Sequence, residues 1–152
     1  MKSLAKFHEI PLTSIEPRGW LRAYLEKQRN GLTGHLEVAG HPFDTGGWTN
    51  SKIQTRSALA GWWPYEQTAY WIDGMIRCGV LLRDEFLISK AKKQMDYVLD
   101  HPDADGYLGP AHLKNPDDNN RWPHMVFFRV TFVPYGCTHL RITIFPHVEV
   151  AD

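Results

Sequence analysis

"PYEQTAYWIDGMIRCGVLLRDEFLISKAKKQMDYVLDH", residues 64–101, decides the fold class. Pro64 suits a first helical turn, where its missing N–H costs nothing, and the helix it opens is expected to run to about Leu82. Asp84 is placed to cap a second helix, in which Leu87, Ile88, Ala91, Met95, Val98 and Leu99 fall on one face. So short a link forces the two helices to run antiparallel, as a helical hairpin.

The pattern continues on both sides. Upstream, "SIEPRGWLRAYLEKQRNG", residues 14–31, reads as a helix with Pro17 in its first turn, Gly31 at its stop, and an apolar stripe of Leu21, Tyr24 and Leu25. The first ten residues are expected to form an extended arm, and residues 32–57, rich in Gly, His and Thr, a long loop or partly ordered excursion. Downstream, "HPDADGYLGP" is a turn, and "RWPHMVFFR", residues 121–129, begins a fourth helix with Pro123 in its first turn. Helix, short turn, helix, longer loop is the order of a stacked or closed α/α array, so the fold class is all-α. From Val130 onward, "VTFVPYGCTHLRITIFPHVEVAD" carries β-branched residues and alternation, and the helix is expected to stop there. The chain thus divides into a helical portion, 1–129, and an irregular or strand-like tail, 130–152, consistent with a shifted reading frame.

The 152 residues fit one domain, and 43% hydrophobic content is enough for a core. A net charge of zero gives no electrostatic footprint for nucleic acid or an anionic membrane, and the sequence holds no apolar run long enough to span a bilayer. Cys78 and Cys137 are the only cysteines and read as two free, buried thiols in a reducing compartment. The start lacks the apolar core of a secretory signal, and with Met1 as the native start the expectation is a cytoplasmic protein.

Six tryptophans stand out, three of them in "GWWPYEQTAYWIDG", residues 61–74. On a helix Glu66, Tyr70 and Asp73 share roughly one face, a polar stripe able to hold a polar ligand. The helical rise separates the two carboxylates by ~10.5 Å. That exceeds the ~5–5.5 Å of a retaining glycosidase pair and is marginal for the ~6.5–9.5 Å of an inverting one. Packing is the competing account: Trp62, Trp63 and Trp71 can fill space between helices, and Glu66 can face the helix N-terminal dipole. Asp103, Asp105 and Gly106 imitate part of a calcium loop, but His101 and His112 stand where oxygen ligands are needed, and an Asp-Gly turn is the better account. His124, beside Pro123 at a helix start, can meet a ligand or simply cap.

Taken in order, "PRGWLRAYLEKQRNGLTGHL", "WWPYEQTAYWIDGMIRCG", "DYVLDHPDADGYLGP" and "RWPHMVFFR" resemble the N-terminal part of the β-L-arabinofuranosidase family of glycoside hydrolases, family 127 and its relatives, over residues 7–129. The resemblance implies an incomplete (α/α)6 barrel, about its first four helices, and hydrolysis of terminal β-L-arabinofuranosides or related plant-glycan linkages. It implies a carbohydrate partner and a pocket wall formed by His124, Glu66, Tyr70, Trp63 and Asp73. In the family a cysteine thiolate is the nucleophile, poised by a zinc that cysteines and a glutamate hold. Those residues come from later in a longer chain, and neither Cys78 nor Cys137 matches them. The expectation is therefore a fragment that holds no cofactor of its own, zinc belonging to the full-length family member. Its unpartnered apolar helix faces would favour self-association. Two alternatives stand beside it. One is a non-catalytic carbohydrate-binding helical module using Trp48, Trp62 and Trp63; the other is an α/α-barrel enzyme using Glu66 and Asp73.

Overall fold

A computed structural model describes residues 10–44, 46–49, 62–110, 113–114 and 122–135, with side chains described as far as Val130. Among the described residues there are five α-helices: α1 Gly19–Asn30, α2 Leu32–His35, α3 Trp63–Leu82, α4 Glu85–Asp100 and α5 Trp122–Tyr135. Three 3-10 turns accompany them, at Leu12–Ser14, Leu36–Ala39 and Gly47–Thr49. No strand occurs among the described residues, and the class is all-α.

The architecture centres on α3, which packs against α1, α4 and α5 while α4 and α5 touch each other little. Its composition explains this place: Tyr65, Ala69, Ile72, Met75 and Ile76 are all buried, on more than one side of the helix. Thr68 is buried too, its hydroxyl donating to the carbonyls of Pro64 and Tyr65 at 2.9 and 3.1 Å. The hairpin forms as the sequence predicts. Arg83 ends α3 in the left-handed conformation (φ 55°), and the Asp84 side chain accepts from the Leu87 N–H at 3.0 Å, capping α4. The Arg29 guanidinium holds the other Asp84 oxygen at 3.0 Å, tying α1 to this corner. Leu87, Ala91, Met95 and Val98 face α3 as their spacing requires.

The direction of α5 follows from two cross-links. Trp122 bonds Glu66 and Arg129 bonds Asp73, an advance of the same length on each helix, so α5 runs parallel to α3. Val126, Phe127 and Val130 fill the core between them.

Four expectations change or become specific. The segment from residue 32, expected as a long loop or partly ordered excursion, carries α2 and two 3-10 turns where it is described, held where the Trp71 indole N–H donates to the Thr33 carbonyl (2.8 Å) and the Lys90 ammonium to the Gly34 carbonyl (2.6 Å). Residues 130–135 are helical, not strand-like: Val130 is fully buried, and that packing outweighs the weak helix propensity of β-branched residues. Residues 136–152, including Cys137, lie outside the described residues, as does the expected N-terminal arm. The α1 stripe is the third. Leu25 reaches the core, but Leu21 and Tyr24 are exposed and Trp20 is 80% exposed. Pro17 precedes the first turn of α1 rather than lying in it.

Candidate functional site

The ribbon of side chains along the outer face of α3 and α5 gathers most of the residues singled out above. On α3, Trp63, Glu66 and Tyr70 succeed one another at single-turn intervals, with Trp62 at the helix entrance. On α5, Trp122, Met125 and Arg129 do the same. Trp62, Trp63, Tyr70, Trp122 and Met125 all remain exposed. The two stripes meet where the Trp122 indole N–H donates to Glu66 Oε1 at 2.6 Å, a short charge-assisted bond. His41 lies 6.0 Å from the Trp63 ring, centroid to centroid. The result is a set of flat apolar rings around one carboxylate at the N-terminal ends of two parallel helices, where the helix dipoles favour negative charge.

Asp73 belongs to the same stripe by sequence but has another task. It is buried, and each oxygen is claimed by a guanidinium, Oδ1 by Arg77 at 2.7 Å and Oδ2 by Arg129. A carboxylate so paired ties α5 to α3 and commits both of its oxygens to the two guanidinium groups. The reading of Glu66 and Asp73 as an acid/base pair is not supported by this arrangement.

His124 sits away from the ribbon. It is 3% exposed, its ring lies edge-on to Trp48 at 5.2 Å and stacks with Phe128 at 6.0 Å. Its Nε2 lies 3.0 Å from the Tyr107 hydroxyl and 3.1 Å from the Leu108 carbonyl. Since Tyr107 donates its own proton to the Pro110 carbonyl (3.1 Å), Nε2 is the donor in both contacts. His124 therefore fastens the turn at residues 107–110 onto α5. Burial, and then the nearby charges of Asp103 and Asp105, push the Tyr107 hydroxyl well above its ordinary pKa, so it stays protonated in this role.

Trp48 is likewise a core residue. It is 2% exposed, stacked on Phe127 at 4.0 Å, and donates to the Tyr65 carbonyl at 3.0 Å, which removes it from the proposed sugar platform. Asp103 and Asp105 form the expected turn, closed by the Gly106 N–H on the Asp103 carbonyl at 2.8 Å. Both carboxylates take the Lys114 ammonium. That lysine supplies the positive charge a calcium ion would.

The thiol of Cys78 lies 3.6 Å from the Leu25 carbonyl between α3 and α1. Burial raises its pKa, and the Asp84 carboxylate adds to the effect, the opposite of what activates a nucleophilic thiolate. Among the described residues no three His, Cys, Asp or Glu gather as metal ligands.

Sequence reasoning missed Trp122. A signal for it existed: Trp63-Pro64 and Trp122-Pro123 open α3 and α5 with the same dipeptide. Compared with protein-family models, curated proteins and solved structures, the chain has no match.

Proposed function

We propose that this chain contributes the sugar-binding wall of a glycoside hydrolase of the β-L-arabinofuranosidase type, acting on terminal β-L-arabinofuranosides or related plant-glycan linkages. One observation carries the reading: exposed Trp63 and Tyr70 flank a half-buried Glu66 on the outer face of α3, with Trp122 bonded to that carboxylate. Binding sites for neutral sugars need flat apolar surface and a few fixed polar groups, and this ribbon has both. The helix order adds support. In an (α/α)6 barrel neighbouring inner helices run parallel with an antiparallel outer helix between them in sequence, the relation of α3, α4 and α5. In this reading Trp63, Glu66 and Tyr70 meet the sugar, while Asp73 and His124 hold α5 and the adjoining turn behind them. No bond-breaking step is assigned to these residues.

A second reading, a non-catalytic carbohydrate-binding helical module, is favoured by Asp73, whose pairing with two arginines leaves Glu66 without a carboxylate partner in the ribbon. Calorimetric titration of the whole chain with methyl β-L-arabinofuranoside, beside hydrolysis of the p-nitrophenyl glycoside with and without zinc, separates the possibilities. Binding without turnover supports the wall or the module. Turnover abolished by Glu66→Gln would instead assign the chain its own carboxylate chemistry. A folded chain that binds no furanoside sinks the carbohydrate reading.

A further inference from the structure

Within the ribbon, Trp122 differs from the other rings. It is 48% exposed, against 38% for Trp62 and 39% for Trp63, and its edge is held by the bond from its N–H to Glu66 Oε1. The bond fixes the plane of the indole. The second oxygen, Glu66 Oε2, has no hydrogen-bond partner among the described residues, and Met125 one turn along α5 extends the apolar surface at 60% exposure.

From this we infer that Trp122 is the platform on which the C–H face of a neutral furanose lies, with Glu66 Oε2 accepting a hydrogen bond from one of its hydroxyls. The inference rests on the carbohydrate reading above and adds the ring and the oxygen that do the binding. The C–H groups on one side of a sugar carry partial positive charge, which the negative face of an indole attracts. The hydroxyls at the sugar's rim need acceptors, and a carboxylate oxygen is a strong one. Other occupants fit worse. A purely apolar group would desolvate Glu66 and give it no donor, and a phosphate or carboxylate ligand would meet its like charge.

The test follows the tryptophan indole N–H signals of the whole 152-residue chain by NMR during titration with methyl β-L-arabinofuranoside, the Trp122 signal being the one lost in Trp122→Phe. A saturable shift of that signal is expected. Trp122→Ala should weaken binding about tenfold, the worth of one aromatic contact. Trp122→Phe, which keeps a ring but releases Glu66, should weaken it about threefold. Trp20→Ala, on the exposed side of α1, should leave it unchanged. Should Trp122→Ala lose the signal dispersion of a folded chain, the Phe variant decides: wild-type affinity there overturns the assignment. Unaltered affinity in a folded Trp122→Ala, with loss in Trp63→Ala instead, also overturns it while leaving the carbohydrate reading intact. No saturable shift of any indole signal in the folded wild type removes both.

Discussion

Alanine at Gly74 and alanine at Gly79 should move stability in opposite directions, although both positions lie inside α3. In a helix interior the change from glycine to alanine is favourable by about 0.8–1.0 kcal/mol, largely because the unfolded chain loses freedom. A Cβ at Gly74 meets nothing within 4 Å, so the gain should appear nearly whole. For a chain of this size that raises Tm by roughly 2–4 °C. At Gly79 a Cβ would stand 2.9 Å from Ile88 Cγ1, 3.0 Å from Leu87 Cβ and 3.1 Å from the Ile88 backbone nitrogen. The Ile88 side chain can swing aside, but the other two atoms move only if α4 withdraws from α3. Overpacking of this kind costs about 1–3 kcal/mol, which turns the helix gain into a net loss of up to about 2 kcal/mol. The gap between the variants is then about 1–3 kcal/mol. Urea unfolding followed by far-UV circular dichroism measures it, through the midpoints of curves with equal slopes. A Gly79→Ala chain as stable as Gly74→Ala would refute the close α3–α4 contact.

Two further outcomes probe other joints of the fold. Asp84→Ala removes the cap of α4 and the Arg29 pair and should cost about 1–2 kcal/mol in the same urea assay, whereas Asp84→Asn keeps the cap and should cost about 0.5 kcal/mol. Burial alone would raise the Asp84 carboxyl, but the Leu87 N–H and the Arg29 guanidinium hold it below the ordinary aspartate value. Its stabilisation is therefore full above the unfolded pKa of about 3.9 and fades as pH falls through the folded one, so the wild type should lose its advantage over Asp84→Asn below about pH 4. Gly109→Ala places a Cβ 2.6 Å from His124 Nε2 at a φ of +126°. It should cost about 2 kcal/mol or more and alter the near-UV dichroism of Trp48, which lies against the same ring.

The hairpin was legible because its signals are local. Pro64, the Asp84 cap and the Leu87–Ala91–Met95–Val98 face each act within one or two turns, and each is found where the spacing puts it. The site was legible only in part. Glu66 and Tyr70 stand on a shared exposed face as the helical period requires, yet the partner of Glu66 lies on α5, far along the chain, and no local pattern points to it. The same holds for Asp73, whose periodicity is that of its neighbours but whose burial between two arginines is a tertiary fact. Trp48 and His124 look like binding residues in sequence because both sit beside Gly-rich or turn segments. Packing between α3 and α5 takes them into the core instead. Val130 shows the same override, a β-branched residue kept helical by its burial in the core.

The parallel course of α5 beside α3 also bears on the order in which the chain assembles. Both cross-links between these helices, Trp122 to Glu66 and Arg129 to Asp73, close loops of 56 residues. The α3–α4 hairpin, in contrast, closes across two residues, and its contacts repay their entropy almost at once. Collapse therefore favours the hairpin as nucleus, with α5 docking late and leaving first. Changes on the α5 side of the ribbon, at Trp122, would then act mainly on the rate of unfolding, and the meeting of the two aromatic stripes would be the last part of the fold to form.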